Sequence, residues 1–136
     1  MPKTKFTIYT DGGSRGNPGP AALGAVVGDK EYFESIGTAT NNVAEYKAVV
    51  FALKKAKQLL GGAKAAKTEV EVRTDSQLLV NQLNGEFKIK DKNLQLLFIE
   101  VWNLKQDFKG VQFTHVTRDK NKEADRLVNK ALDRLL

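Results

Sequence analysis

Ile8-Tyr9-Thr10-Asp11-Gly12-Gly13-Ser14-Arg15-Gly16-Asn17-Pro18-Gly19-Pro20 is the stretch around which the chain is organised. Leading into it, Lys5-Phe6-Thr7-Ile8-Tyr9-Thr10 alternates polar and apolar residues, the period of a half-buried strand. Asp11 stands where that strand is expected to end, and glycines and prolines follow at once. A strand that delivers a carboxylate into a Gly-rich turn places charge at the rim of a sheet, where small neighbours let a ligand backbone come close. Aspartate is also a common turn residue, so Asp11 alone has two readings. Three later acids in similar junctions favour the functional one.

Working outward, Ala21–Val27 reads as a second strand and Tyr32–Ile36 as a third, with the turn Gly28-Asp29-Lys30 between them. Early strands on short turns predict an antiparallel meander. Thr40-Asn41-Asn42 opens a helix in which Val43, Tyr46, Val49, Val50, Leu53, Ala56 and Leu60 recur at helical spacing, and Gly61-Gly62 stops it. Glu45 falls in its first turn, three residues after Asn42, where a capping box would also explain it. Gly61 to Lys67, small residues and lysines, is expected to be a flexible connection. Glu69–Thr74 alternates as the next strand and ends at Asp75, repeating the pattern around Asp11. The structural alternative makes Asp75 the N-cap of the helix that begins at Ser76 and stops near Asn84-Gly85.

Phe87–Lys92 is a short basic connection. A third helix follows with Leu94, Leu97, Phe98, Val101, Trp102 and Phe108 on its apolar side, which puts the only tryptophan in the core. Val111–Thr117 reads as the fifth strand, with Val111, Phe113 and His115 on one face. The last helix runs from about Asn121 to the chain end on a stripe of Ala124, Leu127, Val128, Ala131, Leu132 and Leu135. Asp125 sits beside that stripe in the first turn, where the helix dipole alone would favour an acid.

Composition narrows the chemistry. Residues 1–136 are expected to form a single domain, and a hydrophobic fraction of 41% argues against disorder. With no cysteine there is neither disulfide nor thiolate metal site. A metal would be held by oxygen, which favours magnesium or manganese. No apolar signal core or membrane-length run is present, so the expectation is a soluble cytoplasmic protein with no membrane partner. Lys plus Arg number 22 against 16 Asp plus Glu, and setting the four candidate acids aside leaves 22 against 12. That excess suits a polyanionic partner. Four carboxylates at one rim would repel one another and raise at least one pKa unless divalent metal neutralised them. If they converge, they imply metal; the convergence itself is not written in the residues.

Tyr9-Thr10-Asp11-Gly12-Gly13, Gly16-Asn17-Pro18-Gly19, Thr40-Asn41-Asn42-Val43-Ala44-Glu45, Thr74-Asp75-Ser76-Gln77 and Asn121-Lys122-Glu123-Ala124-Asp125 resemble, in order and separation, the motifs of type 1 ribonuclease H. The resemblance covers nearly the whole chain. It implies an α/β fold of the ribonuclease H-like kind, a five-stranded mixed sheet with its first three strands antiparallel, flanked by helices. It implies that Asp11, Glu45, Asp75 and Asp125 are catalytic carboxylates binding two magnesium ions, with manganese as an alternative, and that Asp11 bridges the two. The activity implied is two-metal hydrolysis of the RNA strand of an RNA–DNA hybrid, leaving 5′-phosphate and 3′-hydroxyl ends. Residues matching the family's substrate contacts are Asn17, Thr40, Asn42 and Gln77 with the amides of Gly12 and Gly13. No protein partner is implied, and the protein is expected to be a monomer.

The chain departs from the family's pattern in two places. Many bacterial members carry a long basic, tryptophan-containing insertion after the second helix, whereas here Gly85 to Asn93 fills that place with Lys88, Lys90 and Lys92 and no tryptophan. His115 lies ten residues before Asp125, the spacing of the family's catalytic histidine, yet its neighbours are strand-like. Arg118 follows within the loop, as in a branch of the family that relies less on histidine. His115 is therefore either a proton shuttle or a packed strand residue, with Arg118 the other candidate. Two further readings stay open: a silent hybrid-binding module, which predicts loss of an acid, and another nuclease or transposase of the superfamily, which predicts extra domains.

Overall fold

A computed structural model describes residues 5–135. Strands β1 (Phe6–Ser14), β2 (Gly19–Val27) and β3 (Lys30–Ala39) form the meander, followed by helices α1 (Asn41–Leu60) and α2 (Gly62–Ala65). Then come β4 (Glu69–Thr74), α3 (Gln77–Leu83), α4 (Lys92–Lys105), β5 (Gly110–His115), a 3₁₀ turn at Arg118–Asn121 and α5 (Lys122–Asp133). The five strands form one sheet of order β3-β2-β1-β4-β5. The meander is antiparallel, and β4 joins β1, and β5 joins β4, in parallel. This is the mixed sheet that the resemblance to type 1 ribonuclease H implies.

Alternation along β4 puts Val70, Val72 and Thr74 inside and leaves Glu69, Glu71 and Arg73 half-buried. With Ile8, Ala25 and Val27 they build the floor of the main core under α1, whose Tyr46, Val49, Leu53 and Ala56 are fully or almost fully buried. The Tyr46 hydroxyl donates to Gln82 Oε1 at 2.8 Å, which satisfies two polar groups inside that core. A smaller cluster of Ala22, Val128, Ala131 and Leu132, with Phe33 against it, fastens α5 to the meander.

Several expectations need correction. β1 does not end at Asp11 but runs on to Ser14, held by β2 through the pair Ser14–Ala21. What stops earlier is the pairing of β1 with β4, whose last register pair is Tyr9–Arg73. Asp11 is thus a strand residue whose one flank β4 has already left. The Gly61–Lys67 connection contains the helical turn α2, closed by Ala65 N–H donating to the Gly61 carbonyl at 2.8 Å and anchored by the buried Ala65. Trp102 is 52% exposed, because α4 packs on α1 through Leu94 and Val101 and turns Leu96, Ile99 and Trp102 outward. Phe108 is buried but lies past the end of α4. β5 stops at His115, and the 3₁₀ turn follows, with Lys120 N–H donating to the Thr117 carbonyl at 3.0 Å. α5 ends at Asp133, leaving Leu135 exposed outside the stripe.

Candidate active site

Asp11, Glu45, Asp75 and Asp125 come from the middle of β1, from α1, from the residue after β4 and from α5, and all four line one cleft with Gly12, Gly13 and Arg118. The cleft has a volume of about 360 Å³. Two glycines make the convergence possible. A Cβ on Gly12 would stand 2.3 Å from the backbone of Ala44 and 2.5 Å from the Glu45 nitrogen. Only glycine lets α1 come down on β1 here and set Glu45 beside Asp11. Gly24, the register partner of Asp11, does the same for α5 on the other face, where a Cβ would stand 2.5 Å from the Ala124 carbonyl oxygen. Asn121, buried at the start of α5, donates from Nδ2 to the Thr10 carbonyl at 2.9 Å and ties α5 to the residue before Asp11.

The capping alternatives for two acids fail. Thr40 caps α1, its hydroxyl accepting from Val43 N–H at 3.2 Å, which puts Glu45 beyond the capping-box position. Ser76 caps α3, accepting from Leu79 N–H at 3.2 Å, so Asp75 is not the N-cap. Freed of those duties, both carboxylates face the cleft.

The electrostatics carry the mark of crowding. Burial, then the charges of Asp75, Asp125 and Glu45, push the Asp11 carboxyl up to about 8, against a smaller pull from the Gly12 N–H. Burial pushes Glu45 up to about 7, with the Ser76 hydroxyl pulling down and Asp75 pushing up. Arg118 Nε lies 3.8 Å from Asp75 Oδ2, a loose contact from a largely exposed side chain. Among the described residues no three His, Cys, Asp or Glu side chains form a ready-made set for one ion. The donor set itself, all oxygen and in excess of nearby positive charge, fits hard divalent cations.

The remaining candidates divide. Gly12 and Gly13 line the cleft; Asn17, Thr40, Asn42 and Gln77 do not. Asn17 Oδ1 accepts from Asn41 N–H at 3.1 Å, Gln77 Nε2 donates to Asn81 Oδ1 at 3.0 Å, and Asn42 is exposed in the first turn of α1. Asn41, not singled out in the sequence, lines the cleft and accepts from Ser14 N–H at 2.8 Å. Ser14, Arg15 and Asn129 also line it and were legible only as turn and helix-surface residues. His115 is exposed, pairs in register with Thr74 and stands outside the cleft, whereas Arg118 is part of it.

A sheet of this order with acids gathered over its central strand defines a protein of the ribonuclease H-like fold. The family described as Reverse transcriptase-like matches residues 9–131. LC11-RNase H1, solved in complex with an RNA/DNA hybrid, superimposes with a TM-score of 0.90 at 43% identity, over 96% of this chain and 99% of that one. Ribonuclease HI of Halobacterium salinarum is 43% identical over 92% of this chain and 63% of its own length. Bifunctional protein Rv2228c of Mycobacterium tuberculosis is 42% identical over 95% of this chain, which spans only 36% of that relative's length. The chain belongs to this family, and within it to the type 1 ribonucleases H.

Proposed function

We propose that the protein is a metal-dependent endoribonuclease that hydrolyses the RNA strand of RNA–DNA hybrids, leaving 5′-phosphate and 3′-hydroxyl ends. The observation that carries this reading is the convergence of Asp11, Glu45, Asp75 and Asp125, from four separate elements, on one cleft. The likeness to an RNase H1 solved with an RNA/DNA hybrid supports the substrate class. Asp11, Glu45, Asp75 and Asp125 would hold two divalent cations, magnesium or manganese. The chemistry such ions supply when bound is a water acidic enough to attack phosphorus and a charge that steadies the departing 3′ oxygen.

The chain's own groups do the rest. The charges of Asp75, Asp125 and Glu45 all act on Asp11, and in this reading Asp11 would help to hold both ions. Gly12, Gly13 and Asn41 line the cleft, where short polar groups can meet sugar and phosphate. Selection of RNA rests on contacts to the 2′-hydroxyl, which DNA lacks. Asn17, Thr40, Asn42 and Gln77, which match the family's substrate contacts, would meet the hybrid outside the cleft. Arg118 sets positive charge beside Asp75 and the phosphate being cut. The protein works as a cytoplasmic monomer in this reading, and among the described residues no helix is long and apolar enough to cross a membrane.

The test offers labelled RNA–DNA hybrid, duplex RNA and duplex DNA to the protein, with and without divalent metal. Cleavage confined to the RNA of the hybrid and dependent on metal is expected. Cleavage of duplex DNA, or of any substrate in the presence of excess chelator, would overturn the reading.

A further inference from the structure

We propose that Arg15 binds a phosphate of the RNA strand adjacent to the one that is cut, and that Asp133 holds its guanidinium in place until nucleic acid arrives. The inference rests on the cleft being a ribonuclease H site. Arg15 follows directly on β1 and lines the same cleft as the four acids. Its backbone is fixed by Arg15 N–H donating to the Pro20 carbonyl at 2.8 Å, and that of Ser14 by Asn41 Oδ1 at 2.8 Å. The side chain thus hangs from a rigid base. Its Nη2 donates to Asp133 Oδ1 at 2.6 Å.

Both partners of that pair are open to water, with side-chain exposures of 41% and 63%. An exposed ion pair contributes little to stability, so the exchange of Asp133 for a phosphate costs little. A guanidinium, planar and always charged, suits a phosphate that must be gripped in a fixed orientation. Asp133 itself sits in a shallow groove with Arg126, Lys130 and Arg134. Asn129 lines both that groove and the cleft, so a strand leaving the cleft past Arg15 meets Lys130 and Arg134, Arg126 being held by Glu31 and Glu123. Arg15 and Arg118 then line the cleft with the acids, one from just past β1 and one from the 3₁₀ turn. The competing account makes the Arg15–Asp133 pair a strut that fastens α5 to the end of β1.

Steady-state cleavage of a short hybrid separates the two. Arg15→Ala should raise KM about tenfold with little change in kcat, and should flatten the dependence of log kcat/KM on log salt by about 0.9. Arg15→Lys, which keeps the charge, should restore the salt dependence and remains informative if the alanine variant folds poorly. Asp133→Asn should lower KM, because a competing carboxylate is gone. A methylphosphonate deoxynucleotide is then placed in turn at each position flanking the cut, against the same deoxynucleotide with an ordinary phosphate. One position should raise KM in the native enzyme and have no further effect in Arg15→Ala. A rise of KM in Asp133→Asn matching that in Arg15→Ala would establish the strut and overturn the proposal. So would an unchanged KM and salt slope in both Arg15 variants, or the absence of any position silenced by Arg15→Ala. A native protein that leaves hybrid uncut overturns the functional reading, and this inference with it.

Discussion

Asp11 and Gly24 lie opposite each other in the β1–β2 ladder, and the missing side chain of Gly24 is what brings Asp125 to Asp11. A Cβ there would stand 2.5 Å from the Ala124 carbonyl oxygen and 2.9 Å from the Val128 nitrogen, inside the backbone of α5. The site therefore depends on a close approach of helix to sheet, made at Gly24 for α5 and at Gly12 for α1.

Gly24→Ala should push α5 outward. The expected cost is about 1–3 kcal/mol of stability, as for other overpacked sites, with kcat reduced more than KM is raised. Chemical denaturation and steady-state kinetics measure the two effects. A variant of native stability and native kcat would show that α5 has room to yield.

Asp11 and Glu45 make the metal-free protein sensitive to pH. In the folded state their carboxyls sit at about 8 and about 7, against ordinary values of 3.8 and 4.5. Between those limits the folded chain holds protons that the unfolded chain has released. Their contribution to stability is therefore complete below about pH 4 and is lost as pH rises through 7 to 8. Unfolding in chelator at pH 5 and pH 8 should show this loss, and saturating magnesium should reverse it at pH 8. Asp11→Asn should remove most of the difference. An equal pH slope in native protein and Asp11→Asn would place its origin elsewhere.

Arg118 and His115 divide by position. Arg118 lines the cleft and reaches Asp75, whereas His115 is exposed at the end of β5. Arg118→Ala should reduce kcat by roughly 100- to 1,000-fold, the scale of losing one charge-stabilising group. His115→Ala should change it little and leave the pH–rate profile intact. A larger fall in kcat in His115→Ala than in Arg118→Ala would reverse the assignment.

Lys88 and Lys90, on the connection between α3 and α4, and Lys92, the first residue of α4, are exposed, and Gln95 fastens that connection by donating from Nε2 to the Ile89 carbonyl at 2.7 Å. Reversing all three charges should raise KM more than it lowers kcat, and should reduce the salt dependence by up to about 0.9 per lysine. An unchanged KM would leave α5 and the rim of the cleft as the binding face.

Strand alternation made the sheet legible, and the order of the motifs made the four acids legible. The cleft was legible only in part, because its assembly depends on contacts far apart in sequence. Gly12 could be read as a turn residue, but nothing local says that α1 rests on it. Gly24 sits unmarked in an apolar run. Asn41 and Asn42 are adjacent and chemically equal, and only the start of α1 decides that Asn41 faces the cleft. Trp102 shows the limit of periodicity, since α4 packs through a narrower stripe than its apolar residues suggest.

The most direct test of the central claim compares the native protein with Asp11→Asn, purified identically, on a hybrid labelled in its RNA strand. With magnesium present, the native protein should cut internally and leave 5′-phosphate and 3′-hydroxyl ends, while Asp11→Asn, folded and at least as stable without metal, should leave the RNA intact. Turnover by Asp11→Asn close to that of the native protein at saturating magnesium would contradict the account.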